Sequence, residues 1–210
     1  MRPHGDQNPA TAVAVTDPDR DVTLRDEPGL NQMLTDADLV RRSLAGSPQA
    51  FEVLVDRHYA PCLRYAARLL GNREDAEEAC QDAFLRAYRA LDSYAESDRF
   101  GAWLYRILIN RCRSFAARRR GTMEDATDSD TLALLSPSRD PEVEHLGLRD
   151  ELARAIGQLD LEQREAFLLK HVDDMSYDEI SAITGVSVSA LKMRVKRACD
   201  RLRDLLTEPS

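Results

Sequence analysis

Residues 176–198 read SYDEISAITGVSVSALKMRVKRA, and this stretch decides the fold of the second half of the chain. Apolar residues recur there every three or four positions on both sides of Gly185, as expected for two short amphipathic helices. Ser176 and Ser187 stand at the positions of helix N-caps. A capped helix, a glycine turn and a second capped helix together predict a helix-turn-helix motif.

The second helix of this motif carries the positive charge. Lys192, Met193, Lys196 and Arg197 fall on its outward face, which would enter the major groove of DNA. A plain pair of packed helices is the alternative, and the glycine turn and the concentration of basic residues favour DNA binding. The residues predicted to pack the two helices together are Ile180, Ile183, Val186, Leu191 and Val195.

Helical periodicity extends from this motif toward both ends of the chain. The last helix is expected to run to about residue 206, and two more helices are predicted at 146–159 and 161–171. Asp160 and Gln163 resemble a capping box that opens the second of these. Four further helices are predicted, at 36–45, 48–70, 72–91 and 99–120. Ser47 caps the second of them and Gly71 ends it, and a kink or a break is expected at Pro61.

The chain is therefore predicted to be all-α, with two helical domains and a flexible acidic linker. Residues 1–35 contain four prolines and read as a disordered tail. Residues 36–120 form the first domain and residues 147–206 the second, with the helix-turn-helix at about 176–198. Residues 121–146 are acidic and only weakly periodic, so the domain boundary is placed there.

Net charge gives a misleading first impression of the binding partner. The 210 residues hold 29 Lys and Arg against 37 Asp and Glu, and a total of −8 argues against nucleic acid. Residues 99–120, however, contain seven arginines and no acidic residue. Arg99, Arg106, Asn110 and Arg113 share one face of that helix, so we predict contact with phosphates and exposed bases rather than a merely solvated surface.

The helix at 72–91 is acidic instead, with Glu74, Asp75, Glu78 and Asp82 among its residues. A solvated face is one interpretation. The other is a docking surface for a protein, because this charge would repel nucleic acid.

Other classes of function lack support in the sequence. No apolar run approaches the length of a membrane helix, and no secretory signal is visible. Four widely spaced cysteines without a C-x-x-C pair suit a reducing cytoplasm, and Cys62, Cys80 and Cys112, on apolar or helical faces, read as core fillers. No metal site, cofactor or enzyme motif is predicted. A stand-alone helix-turn-helix regulator and a protein-binding adaptor remain as alternatives, but each leaves a charged stripe unexplained.

Three stretches carry a family resemblance: DAEEACQDAFLRAYRAL (75–91), FGAWLYRILINRCRSFAARRR (100–120) and LDLEQREAFLLKHVDDMSYDEISAITGVSVSALKMRVKRACDRL (159–202). They resemble, in order and spacing, bacterial sigma factors of the extracytoplasmic-function (ECF) type. The resemblance covers about residues 36–206 and implies a sigma-two domain, a linker and a sigma-four domain. Departures from the family pattern, such as Arg113, Ser114 and Met193, bear on the promoter sequence rather than on the function.

The resemblance implies partners and site residues. The partners are core RNA polymerase (clamp helices of the largest subunit, and the flap), promoter DNA and an anti-sigma factor, with no membrane insertion. The implied polymerase-binding residues are Asp75, Glu78, Gln81, Asp82, Phe84 and Leu85. The minus-ten element, held melted, would meet Tyr94, Asp98, Arg99, Trp103, Arg106, Asn110 and Arg113. The minus-thirty-five element would be read by Ser187, Ser189, Lys192, Met193, Arg194, Lys196 and Arg197.

Overall fold

The computed structural model describes residues 34–95, 99–123 and 143–207 of the chain. This part contains eight α-helices, one short 3₁₀ turn at Leu91–Ser93 and no β-strand, which confirms the all-α prediction. The first domain consists of α1 (Asp36–Leu44), α2 (Pro48–Leu70), α3 (Arg73–Arg89) and α4 (Phe100–Met123). The second domain consists of α5 (Val143–Gly157), α6 (Leu161–His171), α7 (Tyr177–Thr184) and α8 (Val188–Thr207).

Side-chain caps start several of these helices where the sequence predicts them. Asn72 accepts a hydrogen bond from the Asp75 amide at 3.0 Å and begins α3. Ser176 and Glu179 form a reciprocal capping box at the start of α7. Each cap satisfies amides of the first turn, which have no partner within the helix, and so fixes where the helix begins.

Two predicted N-caps are correct in position but lack the capping hydrogen bond, and α2 does not break at Pro61. Ser47 and Asp160 do occupy N-cap positions, but neither side chain makes the capping hydrogen bond. Asp160 is exposed, so water can reach the first-turn amides of α6 without a side-chain cap. The helix α2 runs through Pro61 without a break, since a proline removes one backbone hydrogen bond and the packing of the remaining turns holds the helix together.

The predicted linker is too long at both ends. The helix α4 continues to Met123 and α5 already begins at Val143, so residues 121–146 include the last turn of one helix and the first turn of the next. The predicted tail, apart from its last two residues, and the middle of the linker lie outside the described residues.

The core of the first domain forms where α2, α3 and α4 meet. Leu54, Leu104 and Leu108 are fully buried there. Cys62, Cys80 and Cys112 are also buried, and burial raises the pKa of each thiol, that of Cys80 to about 12. These three cysteines therefore stay protonated and act as small apolar core residues, as the sequence predicts.

The helix-turn-helix packs through the predicted apolar residues. Ile180 and Ile183 of α7 and Leu191 and Val195 of α8 are all buried. They belong to one continuous apolar cluster with the core of the first domain. The two domains are therefore packed against each other.

Gly185 sets the turn between α7 and α8 because it adopts a left-handed backbone conformation, with φ of 72°. We expect Gly185→Ala to lower the free energy of unfolding by about 1 kcal/mol, since a Cβ disfavours this conformation. Gly157→Ala at the end of α5 is the matched control, because a Cβ on either glycine would have open space within 4 Å and Gly157 has no positive φ. Chemical denaturation of both variants tests this, and equal stabilities would contradict it.

Candidate nucleic-acid and polymerase interfaces

The basic face of α8 is open to solvent. Lys192, Lys196 and Arg197 are exposed, and the Met193 side chain beside them is 50% exposed. Among the described residues neither Lys196 nor Arg197 has an ion-pair partner, so both charges are available to phosphates or base edges. Ser187 lies at the N-terminal end of α8, where its hydroxyl accepts a weak hydrogen bond from the Ala190 amide at 3.4 Å.

Arg194 does not belong to this face. Its guanidinium lies 2.6 Å from the Glu162 carboxylate of α6, and the arginine side chain is only 25% exposed. The ion pair directs Arg194 toward its own domain, which separates it from Lys192 and Arg197. We therefore leave it out of the proposed DNA surface.

Three arginines of α4 pair with the acidic helix α3. These pairs partly neutralise the negative charge of α3 within the first domain. They were not predicted from the sequence. The spacing in the sequence could have revealed these pairs. Asp75 and Asp82 on α3 are seven residues apart, as are Arg111 and Arg118 on α4, and such a repeat is typical of two helices that pack side by side. The ion pairs are Arg111 with Asp82, Arg118 with Glu78 at 3.9 Å and Arg119 with Asp75 at 3.7 Å.

The arginines predicted to contact DNA face the second domain. They are Arg99, which directly precedes α4, and Arg106 and Arg113 within it, and each meets an acceptor on α6 or α7. The contacts are Arg99 Nη1 to Glu179 Oε1 at 3.0 Å, Arg106 Nη2 to the Ala182 carbonyl at 2.9 Å, and Arg113 to both carboxylate oxygens of Glu165 at 2.6 and 2.8 Å.

The pair of Arg113 and Glu165 is the most enclosed of these contacts. Glu165 is 3% exposed, and both of its oxygens accept hydrogen bonds from Arg113. The hydrogen bond to Glu165 raises the pKa of Arg113 above its ordinary value. Two parallel charge-assisted hydrogen bonds make this a directional contact, which fixes how the domains dock.

An aromatic cluster stands at the start of α4. Tyr94 packs edge-on against Trp103 with ring centroids 5.4 Å apart, and Phe100 lies 5.8 Å from Trp103. A cavity of about 510 Å³ adjoins this cluster and is lined from the second domain by Met175, Glu179 and Ile183. The structure thus brings Tyr94, Arg99 and Trp103 together as predicted, while Asp98 lies outside the described residues.

The exposed side of α3 is partly apolar. Glu78 and Gln81 are exposed and Leu85 is 54% exposed, so these predicted polymerase-binding residues are accessible. Tyr88, one turn beyond Leu85, is 51% exposed and extends the apolar patch. Phe84 must be removed from the set, because it is 6% exposed and its ring packs in the core, 6.1 Å from that of Tyr59.

The loop between α6 and α7 places one half-buried carboxylate, that of Asp173, at the domain interface. Burial raises the pKa of Asp173 to about 6, and nearby Arg68, Arg64 and Tyr105 of the first domain oppose the shift. One carboxylate oxygen of Asp173 is buried without a hydrogen-bond partner among the described residues. The other titratable groups near Asp173 have raised pKa values and stay neutral: Cys62, Tyr65 and Tyr105.

The raised pKa of Asp173 predicts a pH dependence of stability. Asp173 binds its proton more tightly in the folded protein, so this contribution is present at low pH and is lost as the pH rises through about 6. We expect Asp173→Asn to exceed the wild type in stability by about 1–2 kcal/mol at about pH 8, because solvent screens part of the penalty, and by little at about pH 4.

Denaturant unfolding at several pH values measures this difference. Asp174→Asn is the matched control, since Asp174 is the exposed neighbour and its left-handed conformation, with φ of 51°, suits Asn as well as Asp. A stability difference between Asp173→Asn and the wild type that is independent of pH would contradict the prediction.

The fold and these surfaces define an all-helical protein of two domains, with a helix-turn-helix and a second basic helix. Within the described residues no helix has the length and apolar character to cross a membrane. Residues 54–122 match the family Sigma-70 region 2, and residues 149–202 match Sigma-70, region 4.

Curated relatives agree over most of the chain. The RNA polymerase sigma factor CarQ of Myxococcus xanthus is 34% identical over 163 residues, which cover 78% of this chain and 92% of CarQ. The ECF RNA polymerase sigma-E factor of Escherichia coli K12 is 33% identical over 181 residues, which cover 80% and 93% of the two chains.

Solved structures of sigma factors are also similar to this chain. The sigma factor RpoE of Bartonella quintana, in complex with the anti-sigma factor NepR, matches with a TM-score of 0.65 at 26% identity, over 76% of this chain and 98% of RpoE. CnrH, in complex with the cytosolic domain of CnrY, matches with a TM-score of 0.60 at 32% identity, over 83% and 99%. The chain belongs to the ECF sigma factors. It directs promoter-specific transcription, and the alternative of a stand-alone regulator is not favoured.

Proposed function

We propose that three surfaces of this chain divide the work of initiation. The exposed side of α3 binds core RNA polymerase, the basic face of α4 with its aromatic cluster holds the melted minus-ten strand, and α8 reads the minus-thirty-five element. The two domains are proposed at residues 36–120 and 147–206. The first is extended to Met123 and the second back to Val143, because α4 and α5 reach into the predicted linker. The chain makes no bonds itself, because the polymerase supplies the chemistry.

The observation that carries this proposal is the open basic face of α8. It holds Lys192, Lys196 and Arg197 on the second helix of a helix-turn-helix, where bidentate or phosphate contacts to duplex DNA are geometrically possible. Ser187 and Ser189 lie at the N-terminal end of the same helix, where the helix dipole favours a phosphate.

The surface for the minus-ten strand combines charge with stacking. Arg99 and Arg106 supply guanidinium groups, and Asn110 is exposed on the same side of α4. Tyr94 lines a cavity of about 510 Å³, and the ring of Trp103 packs against Tyr94 with ring centroids 5.4 Å apart. Single-stranded nucleic acid is bound by this combination of cationic groups and aromatic rings.

The polymerase surface is set by the exposed side of α3. Leu85 and Gln81 stand out from the helix. Glu78 is 66% exposed and lies 3.9 Å from Arg118, so its carboxylate can still reach a basic partner surface, whereas Asp82 is held by Arg111. An exposed apolar residue ringed by charges is typical of a protein interface. Asp75 lies at the N-terminal edge of this surface.

Two further features follow from the class of protein. The solved structure of RpoE contains the anti-sigma factor NepR, so we include an anti-sigma factor among the partners of this chain. We place the action of this chain in the cytoplasm, where core polymerase and the chromosome meet.

The test is transcription with purified components. Core RNA polymerase with the full chain should start transcripts at defined sites on genomic DNA of the source bacterium, whereas core enzyme alone should not. Sequencing of the transcript 5′ ends should reveal two shared elements upstream. If the chain alone binds duplex sites tightly and adds no initiation to core enzyme, the proposal fails in favour of a stand-alone regulator.

A further inference from the structure

We propose that Tyr177, the first residue of α7, is a positioning residue for the recognition of duplex DNA. Its ring holds the ammonium group of Lys192 at the end of α8 that enters the major groove. Tyr177 lies outside the three proposed surfaces. Its role rests on the proposed function in one respect, namely that α8 reads the minus-thirty-five element, and it explains what directs a lysine of that helix toward the bases.

The ring of Tyr177 contacts lysines of both neighbouring helices. Nζ of Lys192 on α8 lies 5.8 Å from the ring centroid, and Nζ of Lys170 on α6 lies 5.5 Å from it. Both distances are within the roughly 6 Å over which the face of an aromatic ring attracts a cation. One side chain of α7 therefore connects the body of the second domain with a basic residue of the recognition helix.

The Tyr177 ring is held in place by its own surroundings. It is half-buried and packs against the apolar cluster that contains Ile180 and Leu191. The reciprocal capping box of Ser176 and Glu179 fixes the first turn of α7, to which Tyr177 belongs. A lysine side chain has many rotamers, so contact with a fixed ring reduces the conformational entropy that this side chain loses when it binds DNA.

The second lysine gives Lys192 a direction. The ammonium group of Lys170 donates a hydrogen bond to the Met175 carbonyl at 3.1 Å, which holds it beside the loop between α6 and α7. Two ammonium groups on one ring repel each other, so conformers of Lys192 that fold back toward α6 are disfavoured. Helical side chains also lean toward the helix N-terminus, and Lys192 lies one turn into α8. Its ammonium group is thus directed to the N-terminal part of α8, which contacts base edges in helix-turn-helix proteins.

The ring orients Lys192 without neutralising its charge. Lys192 is exposed and has no ion-pair partner in the described part of the chain. Arg194 of the same helix shows the contrast, because the Glu162 carboxylate lies 2.6 Å from it and compensates its charge. An aromatic face leaves N–H donors of the ammonium group available to acceptors on bases and phosphates. Lys192 is therefore oriented and still able to bind DNA.

The experiment is a double-mutant cycle on holoenzyme that contains the full-length chain. The variants are Tyr177→Leu, Lys192→Gln and the two combined, and the probe is a labelled promoter duplex from a start site mapped by transcript sequencing. Tyr177→Phe keeps the ring and is the conservative replacement. Phe167→Leu is the matched control, because it removes another half-buried ring of the same domain, whose neighbour is His171 at 5.1 Å rather than a lysine.

We expect Tyr177→Leu to weaken the binding of holoenzyme to the promoter duplex about threefold, the size of an exposed cation–π contact. Lys192→Gln should weaken it about tenfold, and the double variant no further, since the ring then has nothing to position. Tyr177→Phe and Phe167→Leu should bind like the wild type. When each base pair of the upstream element is replaced in turn, Tyr177→Leu should lose discrimination at the same base pair as Lys192→Gln, which a merely structural role of Tyr177 would not cause.

The outcomes separate the role of Tyr177 from the proposed function. Losses that multiply to about thirtyfold in the double variant overturn the positioning role and leave the proposed function intact. Tighter binding by Tyr177→Leu does the same, because the ring would then compete with DNA for the ammonium group. Wild-type binding by Lys192→Gln overturns both the positioning role and the place of Lys192 in the minus-thirty-five surface.

One measurement needs no variant to fold. In the NMR spectrum of the wild-type chain, the ε-methylene protons of Lys192 should be shifted upfield by the ring current of Tyr177. The absence of this shift overturns the positioning role, whatever the variants show.

Discussion

Reversing two charges on α8, with Lys192→Glu and Arg197→Glu, should abolish promoter-specific initiation while holoenzyme still forms. Each side chain is exposed on the outward face of the recognition helix. A specific contact to a base or phosphate is worth about 1–3 kcal/mol, so losing two of them lowers the affinity of holoenzyme for promoter duplex by about 100-fold or more. Binding of holoenzyme to labelled promoter DNA measures this, together with run-off transcription.

The matched control for this variant is Arg42→Glu with Arg154→Glu. It changes the net charge of the chain by the same amount, at two exposed arginines on α1 and α5. A general loss of attraction to DNA would weaken both variants equally and would contradict specific recognition by α8. The salt dependence gives a second reading, because each lost phosphate contact lowers the slope of log K against log salt by about 0.9.

The sequence predicts the helix-turn-helix and the exposed face of α8 well because their determinants are local. Caps at Ser176 and Ser187, the glycine at 185 and the apolar spacing all act within a few residues, and they define both the helices and the outward face of α8. Local signals also place the buried cysteines correctly, since apolar periodicity alone indicates which side of a helix faces the core.

The contacts made by the arginines of α4 are not local and could not be predicted in the same way. Periodicity placed Arg106 and Arg113 on one face, but it cannot say that Glu165, 52 residues further along the chain, covers that face. The same limitation explains Arg194, whose partner Glu162 lies on another helix. Phe84 was assigned by family position alone, and the packing of α2 against α3 buries it.

The distribution of charge now has a structural explanation. The arginines of α4 described in the structure, and Arg99 just before it, are each matched by an acidic side chain or a carbonyl, so the positive charge of this helix is compensated within the chain. The net charge of −8 therefore includes one compensated basic surface and one exposed basic surface.

Replacing Leu85 on α3 by arginine should prevent assembly of the holoenzyme. Leu85 is 54% exposed, so its replacement leaves the core of the first domain intact. A central apolar contact at a protein interface is worth about 2–4 kcal/mol, and an arginine would also place an unpaired charge there, so we expect core polymerase to bind about 100-fold more weakly. Competition with labelled wild-type chain for core enzyme measures the affinity.

Leu44→Arg is the matched control for this variant, because Leu44 is 53% exposed and lies at the end of α1 rather than on α3. Both variants should unfold at nearly the same denaturant concentration as the wild type, since neither leucine contributes a fully buried side chain. Only Leu85→Arg should lose polymerase. Equal binding by both variants would mean that the exposed side of α3 is a solvated surface, the interpretation that its sequence alone leaves open. Equal loss would point to a nonspecific effect of the added charge.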